Sequence, residues 1–267
     1  MTSKPLSDAW HEGDPYERYI GRWSRQVAPR FLAWLGMEGG RRWLDVGCGT
    51  GALASAIVES CDPATVIGVD PSEGFLATAR RQLRERASFL VGHASDIPLP
   101  DSTVDVIVSG LALNFAPDPH AALREMTRVL TDDGTIAAYV WDYAEKMELI
   151  RFFWDAAVEL DPRAAELDEA RRFPLCRSDA LVELFRSSGL ARVEALAIDV
   201  PTRFVDFADL WSPFLGGQGP APAYAMSLSE SARDRLRDHL RVRVAPNEDG
   251  SVELIARAWA VRGTPQA

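Results

Sequence analysis

The sequence predicts an α/β fold: a mostly parallel sheet of seven strands ending in an antiparallel pair, with helices on both faces and a helical cap. Three observations predict it. Strand-like and helix-like segments alternate from about residue 42 to residue 142. The first strand, Trp43-Leu44-Asp45-Val46, runs through Gly47-Cys48-Gly49-Thr50-Gly51 into the helical stretch Ala52-Leu53-Ala54-Ser55-Ala56-Ile57-Val58. The last two strand-like runs, 191–204 and 251–262, have no long parallel crossover after the second, which leaves an antiparallel pairing.

A length of 267 residues accommodates one large α/β domain or a domain with a sizeable cap. With 47% hydrophobic and 25% charged residues, the chain has the balance of a soluble globular protein. A net charge of −10 argues against a nucleic-acid partner, because phosphate binding needs a basic face. The three cysteines, Cys48, Cys61 and Cys176, have no zinc-like spacing and suit a reduced setting. No apolar run has signal-peptide or membrane-span length, so the expectation is a cytoplasmic protein with no membrane span.

At the N-terminus, Asp14-Pro15 is an N-cap and first-turn pair for a helix carrying Tyr19, Arg22 and Trp23. Tyr19 and Trp23, four apart, can pack one helix face on the core. A second helical stretch runs to Leu35, with Gly36 ending it and Pro29 either kinking it or opening a new helix. The glycine turn offers a sharp bend, close ligand approach and, at the following helix, unpaired N–H groups with partial positive charge. Thr65–Asp70 reads as the second strand, and Pro71-Ser72 begin a helix to about Leu83. Asp70, at the strand's carboxyl end, either accepts both hydroxyls of a ribose or caps that helix.

Ser88–Gly92 is the third strand, followed by a loop, His93–Pro100, made rigid by two prolines. Val104–Ser109 is nearly all apolar, as a central parallel strand is. Asp118-Pro119 then cap a helix with the apolar stripe Ala122, Met126, Val129 and Leu130, and Thr131-Asp132-Asp133-Gly134 stops it before the fifth strand, Thr135–Trp141. Residues 143–175 read as helical, Ser178–Ser187 as a helix ending at Gly189, and a polar helix begins near Glu230.

The string LDVGCGTG at 44–51 closely resembles the first motif of the class I S-adenosyl-L-methionine (SAM)-dependent methyltransferases. The resemblance runs from residue 42 to about 142, and implies a Rossmann-like fold, SAM as cofactor and no metal. It places Asp45, Gly47, Gly49 and Gly51 in the cofactor cradle and Asp70 with Pro71 at the ribose. Asp96 matches the acid that accepts from the adenine amino group, and Ile97 the apolar residue flanking the ring. Asn114, with Leu113 and Phe115, occupies the place that faces methyl donor and acceptor. Family members often carry an N-terminal lid, which implies residues 1–36, with Tyr19, Arg22 and Trp23 as candidate cofactor contacts. The α/β domain is then 37–267, with cap insertions at about 143–175 and 205–245. The core most resembles small-molecule enzymes, the quinone-pathway C-methyltransferases among them, and N-P-P-Y is absent.

Two other readings compete. Gly47, Gly49 and Ala52 also satisfy G-x-G-x-x-G/A, with Asp70 about 20 residues on, as in an NAD(P)-dependent oxidoreductase. That reading leaves Asp96 and the terminal strand pair unexplained. A non-catalytic SAM-binding relative is the other, against which the intact turn and acids count. Cys48 has no local histidine and needs only to be small, so it is no nucleophile. His93 reads as structural or surface, and neither His120 nor Tyr143 is assigned as a base, since only some acceptors require one.

Overall fold

The computed structural model describes residues 22–217 and 219–266, with side chains for all of these except Arg22. The chain divides into two compact units. One, the sheet unit, comprises Arg25–Trp141, Leu175–Ile198 and Ala258–Ala267; the other is built mainly from Asp142–Pro174 and Asp199–Arg257.

Seven strands form one sheet: β1 (Arg42–Val46), β2 (Thr65–Asp70), β3 (Ser88–Val91), β4 (Val104–Gly110), β5 (Leu130–Trp141), β6 (Leu190–Phe204) and β7 (Val252–Pro265). Their order is β3-β2-β1-β4-β5-β7-β6. The pairs β1–β2, β1–β4, β2–β3 and β4–β5 are parallel, and β5–β7 is antiparallel. Between β7 and β6, Arg257 meets Asp199 and Arg262 meets Glu194, so one strand advances as the other recedes. The expected α/β fold with its antiparallel end is what the chain adopts. Order reverses between β1 and β4, and in open α/β sheets ligands bind at that point, outside the strands' carboxyl ends.

Local sequence explains most elements. The β4 run Val104–Val108 has buried branched side chains along nearly its whole length, as a strand covered on both faces requires. The helix Ala52–Ser60 (α2 in chain order) follows the glycine turn, and Glu73–Leu83 (α3) follows β2. The helix Pro119–Val129 (α4) starts at Asp118, whose side chain accepts from the Ala121 amide, and buries Ala122, Leu123, Met126 and Val129. In the second unit lie α5 (Glu148–Leu160), α6 (Glu169–Arg172), α8 (Phe207–Trp211), α9 (Pro220–Ser227) and α10 (Glu230–Arg243), while α7 (Ser178–Ser187) belongs to the sheet unit. Among the described residues no helix is long and apolar enough to cross a membrane.

One local expectation needs correction, and one left open is decided. The stop at Thr131–Gly134 is no gap between helix and strand, because β5 already begins at Leu130. Leu130 pairs with Val104 and Thr135 with Val106, so the residues between bulge out within the strand. A Cβ on Gly134 would lie 2.9 Å from the Asp105 carbonyl, which explains glycine there. Of the two alternatives at Pro29, no new helix opens there: the first described helix, α1 (Arg22–Leu35), is continuous through it. A proline inside a helix costs about 3 kcal/mol in isolation, and tertiary packing offsets it. Phe31 is fully buried, 4.8 Å from the ring of Tyr139 on β5. Arg262 of β7 lies 4.8 Å above Trp34 and donates to the Trp34 and Leu35 carbonyls that end the helix. Gly36, at φ +58°, terminates it as expected. The lid expected from residues 1–36 falls largely outside the described residues.

This packing makes the C-terminal half of α1 part of the scaffold. Phe31→Ala should lower the unfolding free energy by about 3–5 kcal/mol, the range for a buried Phe. Urea unfolding followed by far-UV circular dichroism measures it, and a loss under about 1 kcal/mol would show the helix to be only loosely attached.

Candidate functional site

The site grows from the end of β1. Asp45 sits in register with Gly68 of β2 and Val108 of β4, so both neighbouring strands wall it in. The next residue but one is Gly47, at φ +73°, in a backbone region that glycine enters without strain. Its amide and that of Cys48 both donate to the Val69 carbonyl, at 2.8 and 3.1 Å. A Cβ on Gly47 would lie 2.4 Å from the Cβ of Ala112, so the turn is held between the end of β2 and the loop that follows β4. A Cβ on Gly49 would meet no protein atom within 4 Å. Gly51 is the N-cap of α2 and provides no side-chain cap, leaving the helix's first N–H groups available to an anion.

Asp45 is 1% exposed, and neither carboxylate oxygen has a hydrogen-bond partner among the described residues. Burial lifts its pKa from the usual value near 4 to about 7, and the nearby charge of Asp70 adds to the rise. The Ala54 amide favours the charged form but does not reach hydrogen-bond geometry. A buried carboxylate with two open oxygens is costly unless a cation or donor meets it. Burial also pushes the Cys48 thiol far up, with Asp45 and Asp70 contributing, which keeps it protonated and inert.

Asp70 ends β2 and ties the turn to it. One oxygen accepts from the Gly49 amide at 3.0 Å and the other from the Ser72 amide at 2.8 Å, across Pro71. Ser72, not Asp70, is the N-cap of α3, accepting from the Phe75 amide. Each Asp70 oxygen retains a lone pair for a further donor.

The loop after β3 runs beside this edge. A Cβ on Gly92 would lie 2.7 Å from Pro98 and 3.1 Å from Val69, so the loop folds back on β2. Asp96 is exposed and Ile97 buried. The Ile97 amide donates to Glu125 at 3.0 Å, and Arg128 donates to the Ile97 and Leu99 carbonyls at 3.0 and 2.9 Å. Sequence reasoning took α4 for its apolar stripe and missed this pair. The Glu-x-x-Arg spacing was a visible signal of an ion pair, but its target lies 28 to 31 residues away in the chain.

Beyond β4, Leu111 has φ +58°, strained for a bulky residue, and its amide donates to the Tyr139 carbonyl at 2.8 Å. That bend brings Ala112 against Gly47 and leads into the short turn Leu113–Phe115. Asn114 buries its amide nitrogen without a hydrogen-bond partner among the described residues, and Phe115 is 41% exposed. Asp45, Gly47, Gly49, Gly51, Asp70 and Pro71 thus share one edge, with the Asp96–Ile97 and Ala112–Asn114 loops against it. Within the second unit, Trp23 lies edge-on to Phe204 at 5.4 Å. Tyr19 and the Arg22 side chain lie outside the described residues. Of the two candidate bases, His120 shares a hydrogen bond with Ser188 at 3.1 Å, and Tyr143 packs 6.0 Å from Phe173. Among the described residues no cluster of His, Cys, Asp or Glu is arranged to hold a metal.

In the second unit several aromatic side chains pack on one another. Phe153 stacks on Phe214 at 4.4 Å and Trp154 lies 5.5 Å from Tyr224. Arg151 grips both oxygens of Asp168 at 2.8 Å, and buried Glu169 accepts from the Trp154 indole. Burial raises the Glu169 pKa to about 7. None of these polar groups was singled out from sequence.

Comparison with known proteins identifies the family and the fold. The family described as "Methyltransferase domain" matches residues 44–138. The malonyl-[acyl-carrier protein] O-methyltransferase of Geobacter sulfurreducens is 32% identical over 201 residues, 73% of each chain. The demethylmenaquinone methyltransferase of Geobacillus kaustophilus is 29% identical over 196 residues, 67% of this chain and 81% of its own. A putative methyltransferase from Bacillus halodurans superposes with a TM-score of 0.60 at 15% identity, covering 90% of this chain and 100% of that one. An N-methyltransferase of Haemonchus contortus, solved with S-adenosylhomocysteine, gives 0.59 at 17% identity over 95% of this chain and 57% of that one.

The lone carboxylate makes a pH prediction. With its folded pKa raised, Asp45 favours the folded state at low pH, and that contribution is lost as pH climbs from about 4 to about 7. Asp45→Asn should therefore flatten the decline in stability of the free protein over this window by on the order of 4 kcal/mol. Urea melts at several pH values test it, and parallel profiles for the two proteins would contradict it.

Proposed function

From the premise that the chain belongs to the class I SAM-dependent methyltransferases, we propose that it methylates a small-molecule acceptor and holds SAM on the β1 turn. The observation that carries this is the unpartnered buried carboxylate of Asp45 beneath a glycine turn. SAM bears an ammonium and a sulfonium, and a carboxylate with two open oxygens suits the ammonium. A dinucleotide would bring a pyrophosphate to the same turn, where Asp45 repels it. That repulsion and the antiparallel β7 speak against the oxidoreductase reading.

The remaining groups suit the rest of the molecule. The free N–H groups opening α2 and the unpartnered Asn114 amide are donors for its amino-acid carboxylate. The open lone pairs of Asp70 accept the two ribose hydroxyls. Asp96, exposed beside buried Ile97, accepts from the adenine amino group while Ile97 supports the ring.

When bound, SAM supplies an electrophilic methyl group whose transfer leaves a neutral thioether. The chain's task is then alignment, which in favourable cases contributes about 7–11 kcal/mol. The Gly47 turn fixes donor depth, and the Leu111 bend aims Leu113–Phe115 across it. Cys48 stays protonated and takes no part. A net charge of −10 supports a small acceptor over nucleic acid, as do relatives named for malonyl-acyl-carrier protein and demethylmenaquinone.

Calorimetry in the presence of a metal chelator should show SAM and S-adenosylhomocysteine binding to the folded protein and NAD failing to bind. Asp70→Ala should weaken either SAM or its product by about 1.5–3 kcal/mol, the range for hydrogen bonds to a charged group. Binding of NAD without SAM would overturn the assignment, and an unchanged affinity in the variant would remove Asp70 from the site. Release of S-adenosylhomocysteine with a carboxylate-bearing or quinol acceptor then identifies the acceptor class.

A further inference from the structure

Arg128 on α4 is the most heavily engaged side chain beside the cofactor edge. Its Nε and Nη2 donate to the two oxygens of Glu125, at 2.8 and 2.7 Å. Nη2 also reaches the Ile97 carbonyl at 3.0 Å, and Nη1 reaches the Leu99 carbonyl at 2.9 Å and Asp101 at 2.7 Å. Glu125 uses the oxygen shared with Nη2 to accept from the Ile97 amide at 3.0 Å. Both backbone polar groups of Ile97 are therefore held by one ion pair on a helix. The loop needs such support, because Pro98 and Pro100 donate no hydrogen bonds and its own bonds are few. Ile97 is the residue after Asp96, and the Asp96 amide donates to the His93 carbonyl at 3.0 Å. With the peptide joining 96 to 97 anchored at one end by Glu125 and the Asp96 amide at the other by His93, the Asp96 side chain leaves the backbone in a fixed direction.

We propose that Glu125 and Arg128 are positioning residues for the donor's purine, clamping the Ile97 backbone so that Asp96 is held to accept from a 6-amino group. Selectivity for a 6-amino purine is thus set from α4, outside the loop that touches the base. The proposal rests on the reading of Asp96 given above. Only a guanidinium has the planar fork that serves Glu125 and two carbonyls together, so lysine does not substitute for Arg128.

The test compares S-adenosylhomocysteine with S-inosylhomocysteine, which presents a carbonyl oxygen in place of the 6-amino group. Dissociation constants for both are measured by calorimetry on wild type, Asp96→Ala, Arg128→Ala, Arg128→Lys and Glu125→Gln, each checked for its melting temperature. Wild type should prefer the adenosyl ligand by about tenfold or more, since an unpaired Asp96 facing a carbonyl oxygen is penalised. In Asp96→Ala and in both Arg128 variants the preference should fall to about threefold or less. Glu125→Gln keeps the side chain's size and folds if Arg128→Ala does not, and it should lose part of the preference. A wild type that does not discriminate would show that Asp96 does not read the base, and the proposal falls with that reading. Discrimination that survives intact in folded Arg128 and Glu125 variants, with only the melting temperature lowered, would show the pair to be a structural staple.

Discussion

The contact between Gly47 and Ala112 is the constraint on which the site depends. Placing β1 between β2 and β4 sends the chain out of the sheet with the Val69 carbonyl on one side and the post-β4 loop on the other. Only a residue with no Cβ and a left-handed backbone passes between them. Once it does, Asp45 is sealed behind the turn, α2 opens with uncapped N–H groups, and Asp70 reaches across to the Gly49 amide. Sheet order, glycine pattern and lone carboxylate are one arrangement.

The carboxylates show how a scaffold differs from a site. Asp168 and Glu169 are buried but answered, one by the Arg151 fork and the other by the Trp154 indole. Glu125 is answered by Arg128, which also holds its pKa below the ordinary range. Asp45 is buried and unanswered. Paired groups fix geometry, whereas an unpaired one stores free energy that a complementary cation releases on binding.

Elements whose cause is local were legible in the sequence. Asp118-Pro119 opened α4, the Ser178–Ser187 helix has the expected bounds, and the glycine turn separates β1 from α2. Where distant residues decide, the sequence was silent. Pro29 is tolerated because Phe31 docks on Tyr139 and Arg262 holds the helix end. The Thr131–Gly134 bulge depends on pairing with β4. In the site, the glycines were marked by their spacing in one strand–turn–helix unit and Asp70 by its place at the end of the next strand, while Asp45 was marked by the resemblance of LDVGCGTG to the family's first motif. The Glu125–Arg128 clamp was not, since a side chain's reach to a loop 28 or more residues away leaves no local trace.

The central claim is that Asp45 awaits a cation, and its own titration tests this most directly. Carbon-13 NMR of side-chain carboxyls, with Asp45→Asn giving the assignment, follows the group in the free protein and at saturating S-adenosylhomocysteine. The free carboxyl should titrate at about 7. With the ligand's ammonium beside it, the midpoint should fall below about 5, since an opposite charge at contact lowers such a pKa by roughly 1–3 units. A midpoint unmoved by saturating ligand would contradict the account.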